Sequence, residues 1–165
     1  MMRTQVVWQA LREPGLEHVI VDGTDGWRAD GSGIAVHDGL PVRFAYKLVT
    51  GVGGGVEHCD LTVNDTPLAV PLHGTEDLDI SFTPLTNTLP IRRYRLAVGE
   101  RKELDVVYVD VATTTIQRRW QCYTRLDTRT YRYESQGFSA VLAVDDEDLV
   151  EDYPGLWRRN PIRHP

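Results

Sequence analysis

The stretch Gly74-Thr75-Glu76-Asp77-Leu78-Asp79-Ile80-Ser81-Phe82-Thr83-Pro84-Leu85-Thr86-Asn87-Thr88-Leu89-Pro90-Ile91-Arg92-Arg93 decides how the rest of the chain is read. From Asp77 to Phe82 the residues alternate. Leu78, Ile80 and Phe82 share one face and Asp77, Asp79 and Ser81 the other, the period-2 pattern of a half-buried strand. Two carboxylates therefore point the same way. Residues 83–90 do not extend that ladder, because Pro84 and Pro90 lack an amide donor and disfavour helical backbone in the residue before each. The expectation is a strand, a polar bent corner, and a second extended segment through Ile91, Tyr94, Leu96 and Val98, with Arg92, Arg93 and Arg95 close by.

Strand signals continue on both sides of this stretch. Val19-Ile20-Val21 is β-branched, whereas residues 23–33 carry four glycines and read as dominated by turns. Asp38-Gly39 between two apolar alternating runs predicts a hairpin, with Val42, Phe44, Tyr46 and Leu48 on one face and Arg43 and Lys47 on the other. Residues 51–55 hold four glycines but lack the Lys-Ser/Thr of a phosphate loop, so they read as a hairpin connection into a strand over 56–63. Downstream, 104–111, 115–124, 129–134 and 138–144 are four more strand candidates, the last two joined through Ser135-Gln136-Gly137. Only 147–153 hints at a turn of helix. Counted from Val19, about ten to twelve strands fit, and that density in one domain implies a barrel, roll or sandwich, because a large open sheet leaves edges exposed.

The 165 residues suit a single domain able to bury a core without a metal or disulfide staple. Residues 1–157 are assigned to that domain and 158–165 to a flexible tail. With 18 basic and 24 acidic residues, the net charge of −6 disfavours nucleic acid and anionic membrane as partners. The first ten residues contain no apolar run of secretory length and no segment approaches a membrane span, so the expected location is cytoplasmic. Cys59 and Cys122 then read as buried free thiols. The five histidines are scattered, and only His58 has an acid, Asp60, on the same strand face; neither a metal nor another cofactor is expected.

The run Asp77-Leu78-Asp79-Ile80 followed by 83–93 resembles the signature of a bacterial family first catalogued as a domain of unknown function and later labelled putative glycolipid-binding. The likeness begins at Trp8 and Pro14-Gly15-Leu16-Glu17 and ends with Tyr123-Thr124, Tyr131-Arg132-Tyr133, Phe138, Asp145 and Val150 before Tyr153-Pro154-Gly155. Residues 51–55 depart from it, since most of the family carries a tryptophan-containing strand in this region and glycines replace it here. The resemblance implies an all-β, spiral, barrel-like roll of mostly antiparallel strands with two similar halves, and a lipid or glycolipid ligand. A faint internal echo, Phe44-Ala45-Tyr46 against Val106-Val107-Tyr108, points the same way.

Two groups of residues are able to carry a function. Asp77, Asp79, Thr86, Asn87, Arg92 and Arg93 offer the mixed donors and acceptors that sugar hydroxyls or a phosphate require; alternatively the acids and arginines neutralise each other while Thr86 and Asn87 satisfy a bent corner. The aromatic set Trp120, Tyr123, Tyr131, Tyr133, Phe138, Tyr153 and Trp157, interleaved with Arg119, Arg125, Arg129 and Arg132, suits stacking on sugars, or else core filling. The leading reading is a non-catalytic binder of an amphiphile, with Asp77, Asp79, Thr86, Asn87, Arg92, Arg93, Tyr123 and Tyr131 as its polar and aromatic contacts. A hydrolase of sugar or phosphate esters using Asp77 and Asp79, and an interaction module that docks a protein or a second copy of itself, are the alternatives.

Overall fold

Residues 3–23, 26–73 and 76–162 are described in the computed structural model of the chain. Asp38 and Gly39 adopt φ of 50° and 75°, the left-handed pair of a two-residue hairpin turn, so His37 faces Leu40 and the two flanking strands lock in register. These are β3 (Arg28–His37) and β4 (Leu40–Thr50). Val42, Phe44, Tyr46 and Leu48 are buried on the expected face of β4. The glycines of β3 do not break it. Gly31 pairs with Tyr46 and Gly33 with Phe44, and a Cβ at either glycine would overlap the opposing ring. The glycine run that reads as turns is a strand because its missing side chains make room for those aromatics.

Antiparallel neighbours extend this pair in both directions. β1 (Arg3–Ala10), β2 (Gly15–Asp22), β3, β4, β5 (Val56–Val63) and β6 (Thr66–Ala69) form one run of consecutively paired strands. β8 (Arg101–Asp110), β9 (Thr115–Arg125), β10 (Thr130–Ser135), β11 (Phe138–Val144), β12 (Val150–Tyr153) and β13 (Trp157–Asn160) form a second. β1 pairs with β13 and welds the runs into one 13-stranded, mostly antiparallel sheet. The chain is therefore an all-β single domain. The sheet stays open between its outermost strands, β6 and β7 (Leu78–Ile80), although the Val56 amide reaches the Glu76 carbonyl at 3.0 Å in an isolated bridge.

Several expectations are corrected. The strand expected over 77–82 is β7, three residues long, and the bent corner with its following extended segment is α1 (Leu85–Tyr94). β7 lies parallel to β8, and a parallel pair needs a crossover, which α1 supplies. Pro84, at φ −67°, stands before the first helical turn, where no amide donor is required, and the Leu85 amide finds Thr83 Oγ1 at 3.1 Å. Pro90 lies inside the helix and removes one internal hydrogen bond. Burial offsets that loss: every residue from Leu85 to Ile91 is buried, so the first two turns of α1 are enclosed on all sides. The helix ends at Arg95, whose φ is 44°.

Of the tail expected over 158–165, Arg158, Arg159 and Asn160 instead belong to β13 and pair with Gln9, Trp8 and Val7. Arg159 also reaches Asp145 and Glu151, each at 2.6 Å. The helical turn suggested over 147–153 is a turn around Asp145 followed by β12. The Phe44-Ala45-Tyr46 and Val106-Val107-Tyr108 echo falls on β4 and β8, the fourth strand of one run and the first of the other. Gly74, Thr75 and the last three residues lie outside the described residues. Cys59 and Cys122 are buried and unpaired, and burial pushes the Cys59 thiol up to about 12. Among the described residues, no helix is long and apolar enough to cross a membrane.

Candidate functional site

Strand alternation in β9 brings Arg119, Gln121 and Tyr123 to one face. Cross-strand pairing sets Arg119 against Val106 and Gln121 against Leu104, both buried residues of β8. On β7, Leu78 and Ile80 point to the opposite side from Asp79 and are 1% and 0% exposed. Asp79 meets two donors. Thr86 Oγ1 of α1 donates to Oδ1 at 3.1 Å, and the Gln121 amide donates to Oδ2. Burial raises the Asp79 carboxyl above its ordinary range, against the pull of those hydrogen bonds and of the Arg119 charge. Arg119 stacks on Tyr108 with its guanidinium carbon 3.5 Å from the ring centre, and its buried Nε donates to no acceptor among the described residues.

An aromatic wall stands beside this polar one. Tyr133, Phe138 and Tyr153 form a triangle with ring centres 6.2 Å apart on each side, and Tyr123 joins it 5.2 Å from Tyr133. Asn87 Nδ2 donates to the Tyr123 hydroxyl at 2.9 Å, tying α1 to the wall. Burial raises the hydroxyls of Tyr123, Tyr133 and Tyr153 well above the usual phenol range, so they act as neutral hydrogen-bonding groups. Phe82 and His37 close another side with ring centres 5.7 Å apart. Phe82 holds φ at 69°, a conformation strained for a bulky residue. Together these groups line an open cavity of about 530 Å³, to which Asp79, Asn87, Tyr108, Arg119, Tyr133 and Trp157 all contribute.

The residues singled out from sequence are divided between the two ends of α1. Asp79 and Asn87 line the cavity, and Thr86 and Tyr123 support them from behind. Asp77, Arg92 and Arg93 are at the other end. Asp77 accepts the Tyr94 hydroxyl at 2.7 Å and lies 3.1 Å from the Arg93 guanidinium. Arg92 stacks on Trp27 at 4.1 Å and donates to the Glu147 carbonyl at 3.2 Å. These arginines line a smaller recess of about 330 Å³ with the glycine-rich connection between β4 and β5. Tyr131, on β10, is buried next to Arg125, with the guanidinium carbon 5.6 Å from its ring centre. Among the described residues, Asp77 and Asp79 thus have no hydrogen-bond partner in common and do not line one cleft, as paired acid and base would.

Sequence reasoning left Tyr108, Gln121, Phe82 and His37 out of the site and named Arg119 only as a neighbour of aromatics. The strand expected over 115–124 held a signal for Gln121 that was not drawn out, since Arg119, Gln121 and Tyr123 are spaced by two. His58 and Asp60 do approach each other, at 3.0 Å, yet no group of three or more metal-binding side chains occurs among the described residues. The cavity carries a carboxylate, a guanidinium, an amide and hydroxyls beside apolar rings. That combination has the donors, acceptors and ring faces that a polyhydroxylated ring requires.

The comparisons with known proteins agree with this fold. The crystal structure of a DUF1089 family protein from Pseudomonas aeruginosa superposes with a TM-score of 0.71 at 30% sequence identity, over 88% of this chain and 92% of that one. No curated protein matches the sequence. The model of the family described as "Putative glycolipid-binding" matches residues 5–70 and 64–159, nearly the whole of the chain, which therefore belongs to that family.

Proposed function

We propose that the chain is a non-catalytic binder of a glycolipid, with the sugar head in the cavity lined by the polar groups Asp79 and Arg119 and, next to them, by Tyr133, Phe138 and Tyr153. The observation that carries this reading is the pairing of hydrogen-bonding and aromatic walls around about 530 Å³ of open space, a volume in the range of small-ligand sites. The family description supports the same class of ligand. Because Leu85 to Ile91 of α1 are buried against the sheet, the reading places the amphiphile in the open cavity next to the helix. The reading keeps the protein in the cytoplasm, which cell fractionation checks.

Native mass spectrometry of gently purified protein, followed by organic extraction, tests the proposal. A stoichiometric glycolipid is expected. Asp79→Asn and Arg119→Gln each remove a charge-assisted hydrogen bond and are expected to weaken binding by roughly 10- to 100-fold, with the urea unfolding midpoint as the control for folding. Protein that is free of lipid and stays so after incubation with bacterial lipid extract would overturn the reading.

A further inference from the structure

A second space opens on the outside of the sheet, next to the cavity. It encloses about 890 Å³ over β2, β3 and β4, and it shares Ala10, Pro14, Ala35 and Val36 with the cavity, so the two meet over one rim. Its floor is apolar. Leu16 and Ile34 are paired directly across β2 and β3, yet they are 47% and 61% exposed. They therefore form one apolar surface on the outer face of the sheet, beside the rim that the two spaces share.

We propose that an alkyl chain of the bound amphiphile leaves the cavity over this rim and lies in the groove along Leu16, Ile34 and Pro41. The inference rests on the sugar-binding reading of the cavity and adds where the lipid part goes. Three features favour a hydrocarbon chain over a protein segment. β2, β3 and β4 each have a strand on both sides, so their backbone groups are already paired and offer no edge to a peptide. The charges at the groove margin, Arg43 and Asp65, form an ion pair with each other, and neither an acidic nor a basic partner is recruited. Continuity with the cavity also favours a ligand that is polar at one end and apolar at the other.

The test uses methyl, hexyl, octyl and decyl β-D-glucosides below their micellar concentrations, titrated into the native protein, Ile34→Asp and Asp79→Asn. A fully buried methylene strengthens binding about fourfold, and a groove open on one side should give about twofold per methylene. The expected result is that slope in the native protein and its loss in Ile34→Asp, with methyl glucoside unaffected. Leu16→Glu, also at an exposed position, is expected to act in the same way and guards against a folding defect in the first variant. Decyl glucoside binding that survives Asp79→Asn, with no binding of methyl glucoside, would support the groove and count against the sugar cavity. Binding of methyl glucoside with no gain from chain length would overturn the groove and leave the cavity reading standing. Absence of decyl glucoside binding would overturn the groove as well, because the chain term does not depend on the head group.

Discussion

Glu17 is 1% exposed on β2, with its Oε1 accepting the Tyr46 hydroxyl at 2.7 Å and its Oε2 meeting no donor among the described residues. Burial pushes this carboxyl up to about 8, with hydrogen bonds from Thr83 and Tyr46 acting in the other direction. The folded protein therefore keeps a proton that the unfolded chain releases near pH 4.5. A raised carboxyl makes stability fall as pH climbs from 4.5 to about 8 and level off above that, by up to about 5 kcal/mol for this group. Glu17→Gln should remove most of the fall. Urea unfolding at pH 5 and pH 9 measures it, and an equal fall in both proteins would refute the assignment. Gly31 lies under the ring of that same Tyr46. Gly31→Ala is expected to cost roughly 1–3 kcal/mol, because the ring has to move and its hydroxyl is held by Glu17.

At the scale of the element, α1 is unusual in being buried from Leu85 to Ile91 while carrying three consecutive polar residues, Thr86, Asn87 and Thr88. Thr86 is spent on Asp79 and Asn87 on Tyr123, whereas the Thr88 hydroxyl, 0% exposed, has no partner among the described residues. Thr88→Val replaces a buried unsatisfied hydroxyl by a methyl group of similar size, and a stability gain of about 1 kcal/mol is expected in urea unfolding. Enclosure also predicts that the amides of Leu89 and Ile91 exchange with solvent only through global unfolding, which native-state hydrogen exchange reads directly. None of this was legible in the sequence. Two prolines and a run of threonines argue against a helix on local grounds, and the reason for one, a parallel β7–β8 pair, is a tertiary fact. The Asp38-Gly39 hairpin and the strands over 56–63 and 138–144 were legible because turn chemistry and alternation are local. The site was half legible for the same reason. Asp79, Asn87 and, of the aromatic set, Tyr133, Phe138, Tyr153 and Trp157 were visible, whereas Trp120 and Tyr131 lie elsewhere, and which acid faces the cavity depends on α1.

At the scale of the whole molecule, the free edges of the sheet are β6 and β7, neighbours in sequence, while the strands nearest the two chain ends, β1 and β13, are paired in its interior. Trp8 strengthens that seam: it is 0% exposed and its indole donates to the Val150 carbonyl at 2.8 Å. The register from Ala10↔Trp157 to Val7↔Asn160 is antiparallel, so β13 runs toward the start of β1. The architecture is consequently indifferent to where the chain is cut between β6 and β7 and intolerant of a cut that removes β13. A circular permutant that begins in the 70–76 connection, with a short linker joining Ile162 to Arg3, keeps every strand pair and is expected to fold with a loss of no more than about 2 kcal/mol. A chain ending at Leu149 loses β12, β13 and the acceptor of Trp8, and leaves β1 and β11 as raw edges. It should show red-shifted tryptophan emission and no cooperative urea transition. If the truncated chain unfolded cooperatively, or if the permutant did not, the β1–β13 seam would not be what holds the two runs of strands together.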